Sequence, residues 1–76
     1  MENLITQIKK NSSEVYRIYE KEYEGYKFID VRIYYMDKNS GEYKPTKKGI
    51  SIMPNNVEDI INGILKAMEV MGYEKK

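Results

Sequence analysis

Residues 26–37 read YKFIDVRIYYMD, and this stretch decides the fold. Ile29, Val31, Ile33 and Tyr35 alternate with Phe28, Asp30, Arg32 and Tyr34, the period of two that a strand imposes on its side chains. One face is aliphatic and suits a core. The other mixes aromatic and charged groups and suits a working surface. Upstream, EVYRIYEKEY at 14–23 has the same β-branched and aromatic character, with no Gly or Pro. One of its faces carries Val15, Arg17, Tyr19, Lys21 and Tyr23; the other carries Tyr16, Ile18, Glu20 and Glu22. Glu24-Gly25 between the two segments offers a tight turn, with Gly available for positive φ. Downstream, Lys38-Asn39-Ser40-Gly41 reads as a hairpin loop. EYKPTKKGISIM at 42–53 reads as two short strands around a basic turn, with Pro45 limiting the first to a sheet edge.

The pattern then changes period. Pro54 suits the first position of a helix, and Val57, Ile60, Ile61, Ile64, Leu65, Met68 and Met71 recur at i, i+3, i+4, i+7. Glu58 and Asp59 favour the positive end of the helix dipole, and Gly72 is a stop. Gly63 costs about 1 kcal/mol against Ala in mid-helix, which points to close packing or a bend. At the other end, Leu4, Ile5 and Ile8 share a helical face, and Asn11-Ser12-Ser13 breaks it. Residues 1–13 are expected to be an arm or a short helix, residues 14–73 the domain, and residues 74–76 a tail.

Composition narrows the function. The chain has 76 residues, enough for one domain, and a chain this short buries only about 60% of its unfolded surface. It has no Cys and no His, so disulfides and almost every transition-metal site are excluded. The commonest general base and the best nucleophile are missing too. The five Gly are scattered and form no phosphate loop. Neither enzyme nor cofactor is expected. Asp30 reads as half of a salt bridge, and Glu20, Glu22 and Glu24 as a solvated strand face. No apolar run approaches the roughly 20 residues of a membrane span, and the start Met-Glu-Asn carries no signal pattern. A soluble intracellular protein is expected.

With one helix and one small sheet, part of the helix stripe stays in water unless a second copy covers it. Val57, Ile61, Ile64, Leu65 and Met68 are therefore the expected homodimer interface; a monomer whose curved sheet wraps the stripe is the plainer alternative. Net charge is only +1, with ten basic and eight acidic residues in 1–53. Any electrostatic case rests on local distribution. Seven of the eight Tyr lie between Tyr16 and Tyr43, interleaved with Lys21, Lys27 and Arg32 beside the basic turn of Lys44, Lys47 and Lys48. Bases of a single strand stack on such rings at roughly 1–3 kcal/mol each, and lysines on a short turn suit phosphates. Taken singly, the turn reads as solvated and the tyrosines as sheet formers; the combination favours single-stranded nucleic acid over duplex.

FIDVRIYYMD followed by GEYKPTKKGISIMP closely resembles the core of the positive-cofactor-four family of transcriptional coactivators. The match runs from about Phe28 to Pro54, with weaker similarity from Val15 through the helix. The resemblance implies an α+β, Whirly-like fold: a curved four-stranded antiparallel sheet, then one C-terminal helix that pairs with its copy in a dimer. It implies non-sequence-specific binding of single-stranded DNA, with RNA or unwound duplex as further ligands, in support of transcription, replication, recombination or repair. By residue, it implies Arg32 as the basic strand position and Tyr35 as a base-stacking ring. Lys44 falls before the Pro, Lys47 and Lys48 form the basic pair, and Tyr23 is the aromatic ending the first strand. Lys21 and Tyr26 complete the expected nucleic-acid-binding set. Glu24 and Tyr26 stand where the family often has Lys, and Met53 where it has a helix-capping Asn or Thr. No Ser-rich arm precedes the domain, so a bacterial or phage member is expected, cytoplasmic in the cell or infected host, with a nuclear site expected of a eukaryotic one. The competing reading is a protein-interaction module that recruits transcription, replication or recombination proteins through the helix or an edge strand and binds nucleic acid weakly.

Overall fold

The computed structural model describes residues 2–73. Four strands run in chain order across one antiparallel sheet: β1 Glu2–Lys9, β2 Glu14–Tyr23, β3 Tyr26–Asp37 and β4 Glu42–Ile52. A 3₁₀ turn at Pro54–Asn56 leads into helix α1, Val57–Met71. The tail expected at 74–76 lies outside the described residues.

The β2–β3 hairpin is the spine. Its ladder is unbroken from Glu14↔Tyr35 to Tyr23↔Tyr26. Glu24 (φ 50°) and Gly25 (φ 82°) both take positive φ, as a two-residue turn matching the strand twist requires. The ladder fixes the faces, since directly opposed residues project to one side. Val15, Arg17, Tyr19 and Lys21 share a polar–aromatic face with Tyr34, Arg32, Asp30 and Phe28. Tyr16, Ile18 and Glu20 share the aliphatic face with Ile33, Val31 and Ile29.

Two segments differ from the sequence expectation, both because of bulges. Residues 2–9 form β1 instead of an arm or a short helix. Eight residues make a marginal helix in water, whereas the open edge of β2 offers backbone partners from Glu2↔Lys21 to Lys9↔Val15. The register shifts between Leu4 and Thr6; the extra residue breaks the alternation and leaves Leu4, Ile5 and Ile8 at helix-like spacing. Asn11 closes the loop, its Oδ1 accepting from the backbone N–H of Ser13 (3.0 Å) and Glu14 (2.8 Å). Residues 42–52 form one strand instead of two. Arg32 pairs with Gly49 and Tyr34 with Pro45, so Thr46, Lys47 and Lys48 stand against Ile33 alone. The expected basic turn is a bulge within a continuous strand.

The helix ends as expected. Gly72 takes φ 74°, its N–H donates to the Glu69 carbonyl, and the Tyr73 N–H donates to Met68 (both 3.0 Å), the paired bonds of a left-handed cap. Its start has no side-chain cap from Met53 or Asn56. A Cβ on Gly63 would meet nothing within 4 Å, so within the chain this glycine reflects no close packing.

The burial is lopsided. Among the described residues Val15, Tyr34, Ile52 and Asp30 are buried, and three of the four lie on the polar–aromatic face. The aliphatic face and α1 are largely uncovered: Ile50 is 54% exposed, Ile61 49% and Leu65 57%, and no residue of α1 is buried. The radius of gyration is 14.5 Å, against about 11 Å for a compact chain of this length.

Glu24 holds a left-handed conformation that costs an ordinary side chain about 1 kcal/mol or more. Glu24→Asn supplies the residue that this turn prefers. It should raise the thermal midpoint by about 4–8 °C for each kcal/mol recovered, read by circular dichroism; a lowered midpoint would contradict the turn assignment.

Candidate nucleic-acid interface

Asp30 anchors the polar–aromatic face. It is 2% exposed and accepts a two-pronged bond from the Arg32 guanidinium, Nε to Oδ2 at 3.1 Å and Nη2 to Oδ1 at 3.0 Å. Lys21 Nζ approaches Oδ2 at 3.7 Å, and the Ser51 hydroxyl donates to Oδ1 at 3.4 Å. The carboxylate bonds push the Arg32 pKa above its ordinary value. The remaining arm of Arg32, Nη1, donates to the Thr46 carbonyl at 3.0 Å. Gly49 makes room for this: a Cβ there would lie 2.8 Å from Arg32 Cζ and from the Val31 carbonyl oxygen.

Arg32 thus ties β3 to the β4 bulge. Thr46 completes the tie, its hydroxyl donating to the Ile33 carbonyl at 2.7 Å and accepting from the Lys48 N–H at 3.2 Å. The fastened bulge holds Lys47 and Lys48 exposed at the sheet edge, with no carboxylate within 4.0 Å of either among the described residues.

Beside Asp30 lies an aromatic cluster. The Tyr19 and Tyr34 rings are 5.7 Å apart at 31°. Arg17 Cζ stands 4.9 Å from the Tyr34 centroid and 5.2 Å from that of Tyr43, within cation–π range. Its Nε donates to Gln7 Oε1 (2.8 Å) and its Nη1 to the Tyr19 hydroxyl (3.0 Å). Burial, then the hydrogen bond with Tyr19, push the Tyr34 phenol up to about 12. At the hairpin end, Tyr23 and Tyr26 are paired and exposed at 68% and 69%.

The structure divides the expected site. Lys21, Tyr23, Tyr26 and Arg32 share the polar–aromatic face. Tyr35 and Lys44 are paired with each other on the opposite face, Tyr35 exposed and Lys44 bound to Asp37 at 2.7 Å. That bond holds the Asp37 carboxyl below its usual range and the Lys44 ammonium above its own. Lys48 lines an apolar hollow of that face with Tyr16, Val31, Ile33 and Ile50. The bulge stands at the edge where the two faces meet. Arg32 and Lys21 are engaged with Asp30, and Lys21 also with Glu2 at 3.0 Å. The sequence reading missed Arg17 and the part of Tyr34 and Tyr43 in the cluster. The signal was present, since Arg17 alternates with Val15, Tyr19 and Lys21, but a guanidinium between rings depends on the register of three strands. Of the expected dimer residues, Val57 and Met68 are half-buried, and Ile61, Ile64 and Leu65 form an uncovered stripe.

Residues 10–63 match the family described as Transcriptional Coactivator p15 (PC4). Over 50 residues, 66% of the chain, the sequence is 40% identical to the RNA polymerase II transcriptional coactivator SUB1 of Saccharomyces cerevisiae, of which it spans 16%. The fold resembles the crystal structure of a PC4 homologue from Burkholderia pseudomallei, with a TM-score of 0.81, 33% identity, and coverage of 88% of this chain and 97% of that one. It also shares the fold of a bacteriophage T5 homologue of the coactivator PC4 implicated in recombination-dependent DNA replication, with a TM-score of 0.72, 19% identity, and coverage of 93% and 81%. No described helix is long and apolar enough to cross a membrane.

Two predictions come from the polar–aromatic face. Asp30→Ala leaves Arg32 without a carboxylate and should lower stability by about 3–5 kcal/mol, as loss of one partner from a buried pair does. Urea denaturation checks this; a loss below about 1 kcal/mol, the range of exposed pairs, would deny Asp30 its anchoring role. The second concerns alkaline pH. A phenol raised from 10.0 to about 12 favours the folded state below pH 10, and that contribution is lost as pH rises through 12. Tyrosinate absorbance should show one late-titrating ring that Tyr34→Phe removes, and stability should fall less in the variant between those pH values.

Proposed function

Because the chain belongs to the Transcriptional Coactivator p15 (PC4) family, we propose that it acts as a homodimer that binds single-stranded DNA without sequence preference. The observation that carries this reading is the sheet surface on which exposed tyrosines and cations stand together. Tyr23 and Tyr26 present open rings at the hairpin end, and Lys47 and Lys48 stand on a rigid bulge at the β4 edge. Bases of a single strand have free faces for such rings, and paired bases do not. A flexible single strand following the sheet can cross the β4 edge at the bulge and reach Tyr35 and Lys44 on the far side. In this reading Lys21 and Arg32 add positive potential while holding Asp30, and Lys44 reaches a phosphate by exchanging Asp37 for it.

The dimer reading is supported by the uncovered apolar surface. A 15-residue helix with no buried residue and an aliphatic sheet face both require cover, and Val57, Ile61, Ile64, Leu65 and Met68 offer a self-complementary stripe. Residues 14–73 would form the binding domain, with β1 extending its sheet. Transcription, replication, recombination and repair all expose single strands, and the yeast and phage relatives are described in three of those settings. The second reading, a protein-interaction module, is favoured by the open edge of β1, where Leu4, Ile5 and Ile8 are exposed; an extended partner segment can add to such an edge.

Fluorescence anisotropy with a labelled single-stranded oligonucleotide and its matched duplex, at two salt concentrations, tests the proposal. Binding should favour the single strand and weaken with salt as counterions are released. Tyr35→Ala should lower affinity with little change in salt slope, whereas Lys47→Ala should reduce the slope by about 0.7, one phosphate's share for a single strand. Equal slopes would overturn these roles. A folded protein that binds neither oligonucleotide would pass the lead to the interaction module.

A further inference from the structure

Arg17 stands directly across from Arg32 in the β2–β3 ladder. Like charges opposed on one face of a sheet repel. Only one of the two is neutralised: Arg32 has Asp30, whereas Arg17 has no carboxylate within 4.0 Å among the described residues. Everything that holds Arg17 is neutral, namely Gln7 Oε1, the Tyr19 hydroxyl and the rings of Tyr34 and Tyr43. These contacts fix the guanidinium plane and leave its charge intact. They use Nε and one hydrogen of Nη1. No buried side-chain nitrogen or oxygen of the described residues lacks a partner, so Nη2, which donates to no protein atom among them, is open to water with both its hydrogens.

The strand that supplies Gln7 is the N-terminal edge of the sheet. Leu4 and Gln7 both face the polar–aromatic side, opposite Tyr19 and Arg17, although they stand three positions apart. Regular alternation would put them on opposite faces. The β1 bulge between Leu4 and Thr6 turns Gln7 toward Arg17. Residue 7 lies outside the residues 10–63 that match the family, so this support comes from the chain's own N-terminal strand.

We propose that Arg17 is an anion-binding centre of the polar–aromatic face and takes a backbone phosphodiester of the bound single strand. This rests on the single-strand reading above. A planar guanidinium with donors to spare matches two oxygens of a phosphate, which a lysine on a flexible stem does not. The rings beside it keep the fork pre-oriented, so little rotamer freedom is lost on binding. The phosphate supplies the negative charge that Arg17 lacks and relieves its repulsion with Arg32.

The test measures binding of a labelled oligothymidylate across a salt series by the wild type, Arg17→Met and Arg17→Lys, with the urea midpoint of each. Arg17→Met keeps a long side chain against the rings and removes the charge; it should lose about 0.7 of the salt slope and about tenfold in affinity at low salt. Arg17→Lys keeps the charge and should retain the slope while losing several-fold in affinity. A wild-type slope in Arg17→Met, with a lowered urea midpoint, would overturn the proposal in favour of a purely structural arginine and leave the single-strand reading intact. If Arg17→Met does not fold, Arg17→Lys decides, and wild-type affinity there overturns the proposal. A wild type that binds no oligothymidylate overturns the single-strand reading itself, and the proposal with it.

Discussion

The bond between Asp30 and Arg32 organises this molecule. A carboxylate almost wholly removed from water is tolerable only when it is paired and fully hydrogen-bonded. Arg32 supplies two parallel bonds, and Ser51 and Lys21 complete the shell. The same guanidinium reaches the Thr46 carbonyl, so the charge pair also sets the path of β4. Gly49 follows as a steric consequence, because no side chain fits where Arg32 crosses. From one buried charge come the lateral tie between β3 and β4, the need for a glycine, and the posture of the lysine-bearing segment.

The sheet has two faces with different fates. The polar–aromatic face is settled within the chain: tyrosine rings, arginine stems and Val15 cover one another, as amphipathic side chains do when their apolar bodies pack and their polar tips stay wet. The aliphatic face is unfinished, and so is α1. A short chain without disulfides or metals has few other ways to gain cover than from another molecule. Much of the hydrophobic pattern in this sequence therefore describes surfaces that the single chain leaves open.

Much of this was legible in the residues. Period-two alternation and Glu24-Gly25 specify the central hairpin, and Pro54 with the i, i+3, i+4 spacing specifies α1. The bulges were not legible. Each adds residues to one strand only, so β1 lost its alternation and β4 looked like two strands. A bulge is a property of a pair of strands, and one strand's pattern cannot declare it. The split of the expected site, by contrast, could have been anticipated: Arg32 and Tyr35 are three positions apart on one strand, and alternation places them on opposite faces. Resemblance grouped them by motif, and geometry separates them. Arg17 escaped notice for the reverse reason, since its meaning depends on Arg32 standing opposite and Gln7 arriving from β1.

The fastening of the β4 bulge has an evolutionary consequence. On one side Gly49 is locked beneath Arg32; on the other, Lys44 is tied to Asp37 and Pro45 pairs with Tyr34. The two anchors, with Thr46 bonded to Arg32 and to the Ile33 carbonyl between them, fix the strand's register without using the side chains of Lys47 and Lys48. The side chains at Lys47 and Lys48 can therefore change without shifting the rest of the ladder. Selection can retune the charge and reach of this edge in small steps while the hydrophobic pattern of the sheet stays constant, and such a scaffold can diversify its ligands without being rebuilt.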